Sequence, residues 1–207
     1  MANYKEIKGF AIQTTDTDPV VYAGSWSSGG AMNNSRAELA SAVKGSSTAG
    51  LTFGGDAPGL STDTESYNGS AWTEVANLNT ARAGLTGMGT QTAALCVGGY
   101  PPDTETETWD GSSWTEVADL NAGRRGGGGV GTNTAALEVG GGLPVTTAVE
   151  QWNGSAWTEI ADLNTARTGS AAAGITTAAL SIGGSPGFKT NTESFNGSAW
   201  TEVSDLN

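Results

Sequence analysis

The 207-residue sequence contains no histidine and a single cysteine, Cys96. Without histidine, Ser-His-Asp and Cys-His catalysis and the usual zinc and copper ligand sets are excluded. One cysteine also excludes an intrachain disulfide framework. Because Cys96 lies in the apolar run 93–97, we expect it to be a small buried hydrophobe. The sequence therefore predicts a protein that is not an enzyme and has no cofactor or metal site.

Basic residues are scarce, with 9 Lys and Arg against 21 Asp and Glu and a net charge of −12. A nucleic-acid partner is not expected, since its phosphates require a basic stripe, and anionic membrane surfaces are disfavoured for the same reason. The sequence contains no run of about 18 apolar residues, so we do not predict a membrane-inserted span. Residues 1–30 also lack the layout of a signal peptide.

The sequence does contain a regular repeat. Tryptophan recurs at gaps of 46, 42, 43 and 43 residues, at Trp26, Trp72, Trp114, Trp157 and Trp200. An arginine follows each of the first four tryptophans ten residues later, at Arg36, Arg82, Arg124 and Arg167. A Gly-Gly pair recurs in register, at 54–55, 98–99, 140–141 and 183–184. Periods of about 40 to 50 residues indicate an array of identical supersecondary units.

One unit contains four short strand patterns, at 83–89, 93–97, 105–109 and 113–120. The first is rich in glycine and alanine, as expected of a strand crowded around a central axis. An Asn-Gly or Asp-Gly dipeptide joins the third and fourth strands and predicts a type I′ hairpin turn. The unit's two large aromatics are expected to fill the wedge between neighbouring units. These features predict an all-β fold, a β-propeller of four-stranded blades.

Over about residues 26–207 the sequence resembles the kelch repeat. The features that carry this resemblance are the Gly-Gly pair, the following aromatic, the spaced tryptophan and the arginine that opens the next unit. That resemblance implies four-stranded propeller blades. The longer motif Thr-Glu-x-aromatic-Asn-Gly-Ser-Ala-Trp-Thr-Glu-Val, together with residues 1–9, resembles tail-fibre-like proteins of marine bacteriophages. This second resemblance implies a virion protein.

We divide the chain into an N-terminal segment with an incomplete blade, 1–35, and four kelch-like repeats, 36–79, 80–121, 122–164 and 165–207. The segment holds strand patterns at 5–14, at 20–23 and around Trp26. We therefore predict five blades with a degenerate first blade. If that blade lacks a strand, closure needs missing residues or a neighbouring chain, because an exposed sheet edge invites pairing, so a homo-oligomer is among the expectations.

Two sets of glutamates recur in the repeats, Glu65, Glu107, Glu150 and Glu193, and Glu74, Glu116, Glu159 and Glu202. Paired carboxylates are able to catalyse acid-base chemistry or bind calcium. A catalytic pair, however, needs two unlike environments, whereas a repeated residue has the same environment each time. We expect a structural role, with one glutamate set meeting the four arginines through bidentate pairs.

The copies differ most in the loops that follow the Gly-Gly pairs, at 56–63, 100–104, 142–147 and 185–190. All four loops leave the same strand end and are expected to crowd one rim. Exposed aromatic residues and stiff loops are typical of binding surfaces, although surface loops also vary without function. The candidate binding residues are Leu60, Tyr100, Pro101, Pro102, Leu143, Pro144, Phe188 and Lys189.

We expect a non-enzymatic structural or recognition module, a phage virion appendage of tail-fibre-like or decoration type. Its partners would be other virion proteins or a host-surface glycan or receptor, bound through the avidity of many copies. The alternative is an intracellular, cytoplasmic kelch-type adaptor that binds another protein.

Overall fold

The computed structural model describes residues 29–101, 103–142 and 144–206. These residues form sixteen strands in four sheets, and each sheet consists of four antiparallel strands that are consecutive in the sequence. The all-β prediction is confirmed for this part of the chain. The described residues include no helix that could span a membrane.

Each sheet runs from an innermost strand to an outermost strand in chain order. The first contains β1 (Ala40–Ser41), β2 (Gly50–Phe53), β3 (Thr64–Tyr67) and β4 (Trp72–Glu74). The second contains β5 (Thr86–Thr90), β6 (Ala93–Val97), β7 (Thr106–Trp109) and β8 (Trp114–Glu116). The third contains β9 (Gly128–Gly131), β10 (Ala136–Val139), β11 (Val149–Trp152) and β12 (Trp157–Glu159). The fourth contains β13 (Ala171–Ile175), β14 (Ala178–Ile182), β15 (Thr192–Phe195) and β16 (Trp200–Val203).

The arrangement is propeller-like, because the innermost strands of consecutive sheets lie beside one another. Small residues are required along these strands. A Cβ added to Gly87 would collide with the Ser41 carbonyl of the preceding sheet, and one added to Gly129 would collide with the side chains of Thr86 and Met88. The prediction that the glycine-rich segments are inner strands is therefore confirmed.

The tryptophans join neighbouring sheets, as predicted. Trp114 packs against Trp109 of its own sheet at 5.4 Å and against Phe53 of the preceding sheet at 4.8 Å, measured between ring centroids. Its indole Nε1 also donates to Thr64 Oγ1 of the preceding sheet at 3.0 Å. Trp157 is equally buried and donates to Thr106 at 3.0 Å, so this inter-sheet contact is a feature of the repeat.

The same contact is incomplete at the fourth sheet. Trp200 is buried like its equivalents, but Val149 of the third sheet stands where the other repeats have threonine. Valine cannot accept a hydrogen bond, and the buried Trp200 Nε1 finds no other acceptor among the described residues. An unsatisfied buried donor lowers stability, which makes this interface the weaker one.

The prediction of type I′ hairpin turns is wrong. Tyr67 pairs with Trp72, so four residues rather than two connect β3 to β4. A type I′ turn requires a positive φ at both of its central residues. Gly69 has a positive φ of 93°, but Asn68 does not have a positive φ. Asn68 Oδ1 instead accepts the N–H groups of Ser70 and Ala71, each at 3.0 Å. The asparagine side chain thus closes the turn, and the equivalent residues Asp110, Asn153 and Asn196 do the same.

The strands predicted at 5–14, at 20–23 and around Trp26 lie outside the described residues. The described part contains four sheets rather than five. The count of five blades and the manner of ring closure therefore stay predictions.

Candidate functional site

A buried arginine holds both roots of a variable loop. Arg82 Nη1 donates to the carbonyls of Gly98 at 2.8 Å and Glu105 at 2.7 Å, which flank the second variable loop. Arg124 and Arg167 hold the roots of the third and fourth loops by the same two kinds of bond. The loop tips are therefore free to differ while their roots keep one geometry.

Each of the four arginines also meets a buried glutamate, which confirms the predicted pairing. The nitrogen–oxygen distances are 3.1, 2.9, 2.5 and 2.7 Å for Arg36–Glu65, Arg82–Glu107, Arg124–Glu150 and Arg167–Glu193. The second carboxylate oxygen of the glutamate accepts hydrogen bonds from an asparagine. Glu107 Oε2 accepts from both the backbone N–H and the side-chain amide of Asn79, each at 2.8 Å. In the second, third and fourth sheets the expected bidentate pairs therefore do not form, because one carboxylate oxygen accepts from the asparagine and one guanidinium nitrogen donates to the loop carbonyls.

The four variable loops leave the same end of the sheets. Just after each arginine, the chain makes an antiparallel bridge with the segment that follows a Gly-Gly pair, as between Ala83 and Tyr100 and between Thr168 and Ser185. These bridges lie directly before the innermost strands. We call this end of the molecule, with its four variable loops, the rim.

Most of the candidate binding residues are accessible on the rim. Leu60, Tyr100, Pro101, Pro144 and Phe188 are exposed, and Lys189 is half-buried. Pro102 and Leu143 lie outside the described residues. Phe188 has a positive φ of 49°, which is unusual for a bulky residue.

Among the residues that the structure describes, each variable loop exposes one large apolar side chain. The exposed fractions are 41, 50, 38 and 98% for Leu60, Tyr100, Val145 and Phe188. Val145 was not among the predicted residues, although it lies in the predicted loop 142–147. No such residue occurs in the Asn-Gly and Asp-Gly turns at 68–71, 110–113, 153–156 and 196–199.

A pocket of ≈ 450 Å³ opens at the centre of the rim and is lined by residues of all four repeats. Its base is a chain of backbone hydrogen bonds that passes from sheet to sheet. Gly84 N–H donates to Glu38 O at 2.9 Å, Gly126 N–H to Gly84 O at 2.8 Å, and Gly169 N–H to Gly126 O at 2.7 Å. Repetition of one backbone geometry thus builds a single concave surface.

Two charged residues of the pocket, Glu38 and Arg125, were missed by the sequence analysis. Two positions after each buried arginine, the repeats have Glu38, Gly84, Gly126 and Gly169, all with a positive φ of 52 to 65°. One position after it, they have Ala37, Ala83, Arg125 and Thr168. Comparison of the copies at these positions, and not only in the loops, would have revealed both departures.

The side chains of these two residues flank one glycine. A Cβ on Gly84 would lie 3.6 Å from Arg125 Cβ and 3.7 Å from Glu38 Oε2. The Arg125 guanidinium carbon lies 5.7 Å from the centroid of the Tyr100 ring, a cation–π distance that orients the arginine. A carboxylate, a guanidinium and an aromatic ring thus share one end of the molecule.

A third departure from the repeat is buried nearby. Glu138 on β10 replaces the Thr52, Cys96 and Ser181 of the other sheets, and Thr86 of the neighbouring sheet donates to its Oε1 at 2.9 Å. Burial raises the pKa of Glu138 to about 8, although Arg124 and the Thr86 bond act in the opposite direction. Glu138 Oε2 is buried and has no partner among the described residues. This carboxyl is a point of pH-dependent stability rather than an accessible group.

Cys96 occupies the equivalent position of the second sheet and is fully buried, as predicted. Burial raises the pKa of its thiol to about 12, so it remains protonated at neutral pH. A buried, protonated thiol is a poor nucleophile.

No family model matches this sequence, and no curated protein matches it either. The propeller-like all-β class is therefore defined by the four sheets themselves.

Proposed function

We propose that this protein is a non-enzymatic recognition module that binds its partner through the rim. The observation that carries the proposal is that, among the described residues, every variable loop exposes one large apolar side chain at the same end of the sheets. Exposed apolar groups at one end of a protein that also carries a pocket are typical of binding surfaces.

The framework is suited to this role. Three buried arginines donate hydrogen bonds to backbone carbonyls at the roots of three loops. The side chains at the loop tips are therefore presented from fixed positions. A preorganised binding surface loses less conformational entropy when its partner binds. A rigid scaffold with variable loops is the usual arrangement for recognition.

The proposal extends to the assembly. The repeats are blades of a kelch-type propeller of five blades, of which residues 1–35 supply the degenerate first, and the protein is an appendage of a phage particle. The ligand is a glycan or receptor on the host surface. Weak single sites would suffice, because many copies on one particle act through avidity.

The test is binding of the purified full chain to a printed array of bacterial surface glycans. Tyr100→Ser and Phe188→Ser should each weaken retention about tenfold, as loss of an aromatic anchor does. Val43→Ser is the matched control, because Val43 is 58% exposed but follows β1 at the opposite end.

Equal retention of the two rim variants and the parent would refute binding through the rim. Capture of one cytoplasmic protein together with a blank glycan array would instead support the adaptor alternative.

A further inference from the structure

The central pocket of the rim holds two opposite charges that are not paired with each other. Neither Glu38 nor Arg125 takes part in an ion pair within the described part of the chain. Both side chains are exposed, and both face the pocket beside Gly84. The pocket therefore offers an unpaired hydrogen-bond acceptor and an unpaired set of donors.

Glu38 stands in a backbone conformation that disfavours a side chain. Its φ of 52° lies in the left-handed region, where the three equivalent residues of the other repeats are glycine. Its side chain reaches the space beside Gly84, where Glu38 Oε2 would lie 3.7 Å from an added Cβ. A strained residue whose side chain faces a pocket is a functional candidate.

Arg125 is a second departure at the same place. The aligned residues of the first two repeats are alanine, whereas Arg125 extends past Gly84 and lies over the Tyr100 ring. Its backbone makes the bridge to Gly142 that every repeat has, and this bridge does not depend on the side chain. The guanidinium is thus available to a ligand while the ring keeps it in position.

We infer that this pocket binds one neutral sugar residue, with one hydroxyl donating to Glu38 and another accepting from Arg125. A carboxylate only accepts hydrogen bonds and a guanidinium only donates them, whereas a sugar hydroxyl does both. Neighbouring hydroxyls of one sugar are therefore able to satisfy both groups at once. This inference rests on the proposed recognition function and names the ligand class of its site.

The surroundings agree with that ligand. A pocket of ≈ 450 Å³ lies within the range of about 300–1,000 Å³ that small-molecule sites occupy. Thr168 and Ser185 also line it, with the Thr168 hydroxyl donating to the Gly126 carbonyl at 3.3 Å, and the glycines let a ligand approach the backbone closely. An anionic ligand is disfavoured, since Glu38 faces the same space and the whole chain carries a net charge of −12.

The repeat supplies the test variants. Glu38→Gly and Arg125→Ala each restore the residue that an aligned repeat has, so both should fold. The full chain would be titrated with the methyl glycosides of glucose, galactose, mannose and N-acetylglucosamine and followed by NMR. Each variant should weaken binding about tenfold, as expected for loss of a hydrogen bond to a charged group. Glu38→Gly should also melt no lower than the parent, because the left-handed conformation suits glycine.

Lys44→Ala is the control, since Lys44 is exposed beyond the opposite end of β1 and should leave binding unchanged. Failure of all four glycosides to bind, or equal binding by Glu38→Gly and the parent, would overturn the inference. Preferential binding of a zwitterionic amino acid would overturn the sugar class. If the rim variants lose glycan retention while the pocket variants keep it, the recognition function stands and this inference alone is refuted.

Discussion

Each repeat has a buried cluster of an arginine, a glutamate and an asparagine, which we call the latch, only a few residues from the rim. The copies of the repeat agree in the latch but vary in the rim. The latch consists of the arginine, the glutamate and the asparagine, which make the same hydrogen bonds in the second, third and fourth sheets. The rim begins one residue after the arginine, and its variable loops differ in every copy. Because the latch holds the loop roots, the loop tips are able to vary without disturbing the core.

The largest effect should come from breaking the latch. Arg124→Ala leaves the carboxylate of Glu150 buried without its cation and releases both roots of the third loop. We expect a loss of about 3–5 kcal/mol in the free energy of unfolding, measured by urea denaturation. Arg125→Ala is the matched control, because the neighbouring arginine is exposed, and it should change stability by less than about 0.5 kcal/mol. Similar losses in both variants would contradict the comparison.

The second effect concerns Glu138, which lies between the latch of the third sheet and the second sheet. Its pKa of about 8 in the folded state exceeds the ordinary value of 4.5, so the folded state binds the proton more tightly than the unfolded chain. Its stabilising contribution is full below pH 4.5 and is lost as the pH rises through about 8. Arg124 and Glu150 are the charges that face it.

Glu138→Gln should therefore flatten the fall in stability between pH 5 and pH 9 and should be more stable than the parent at pH 9. Urea denaturation at both pH values measures this. Glu159→Gln, on an exposed glutamate of the same sheet, should keep the parental slope. An unchanged slope in Glu138→Gln would show that this carboxyl titrates normally.

A smaller effect should come from completing an inter-sheet contact. Val149→Thr supplies the hydroxyl that the buried Trp200 indole lacks and that Thr64 and Thr106 supply elsewhere. We expect a gain of about 1 kcal/mol in the free energy of unfolding. The reverse change, Thr106→Val, should cost about the same amount. A destabilised Val149→Thr would mean that the hydroxyl is buried without reaching the indole.

The smallest effect on stability should occur at the rim. Phe188→Ser removes a side chain that is 98% exposed, so the free energy of unfolding should change by less than about 0.5 kcal/mol. Replacement by glycine should raise stability slightly, because residue 188 has a positive φ. A large loss on changing Phe188 to serine would show that the loop packs against the core and is not a freely variable tip.

Features that depend on one repeated pattern were predictable. The spaced tryptophans and Gly-Gly pairs predicted the four-stranded sheets, and the arginine–glutamate pairing followed from charge and period. The turn type was not predictable from Asn-Gly alone. The turn type depends on the pairing of Tyr67 with Trp72, which leaves a connection two residues longer than a type I′ turn. The Asn68 side chain then closes this longer turn.

The pocket residues could not be predicted from the repeated pattern alone. Glu38 and Arg125 come from different repeats and are 87 positions apart, so their position on either side of Gly84 depends on how three sheets pack. The burial of Glu138 likewise depends on the neighbouring sheet, which provides Thr86 as its hydrogen-bond partner.

The sequence by itself determined the repeated unit, its strands and its buried latch, because hydrophobic period, glycine and paired charges act within one repeat or between adjacent ones. Only the tertiary structure decided which departures from the repeat meet. Residues from separate copies converge at the axis because the sheets pack around it, and their distances there depend on the angles and register of that packing.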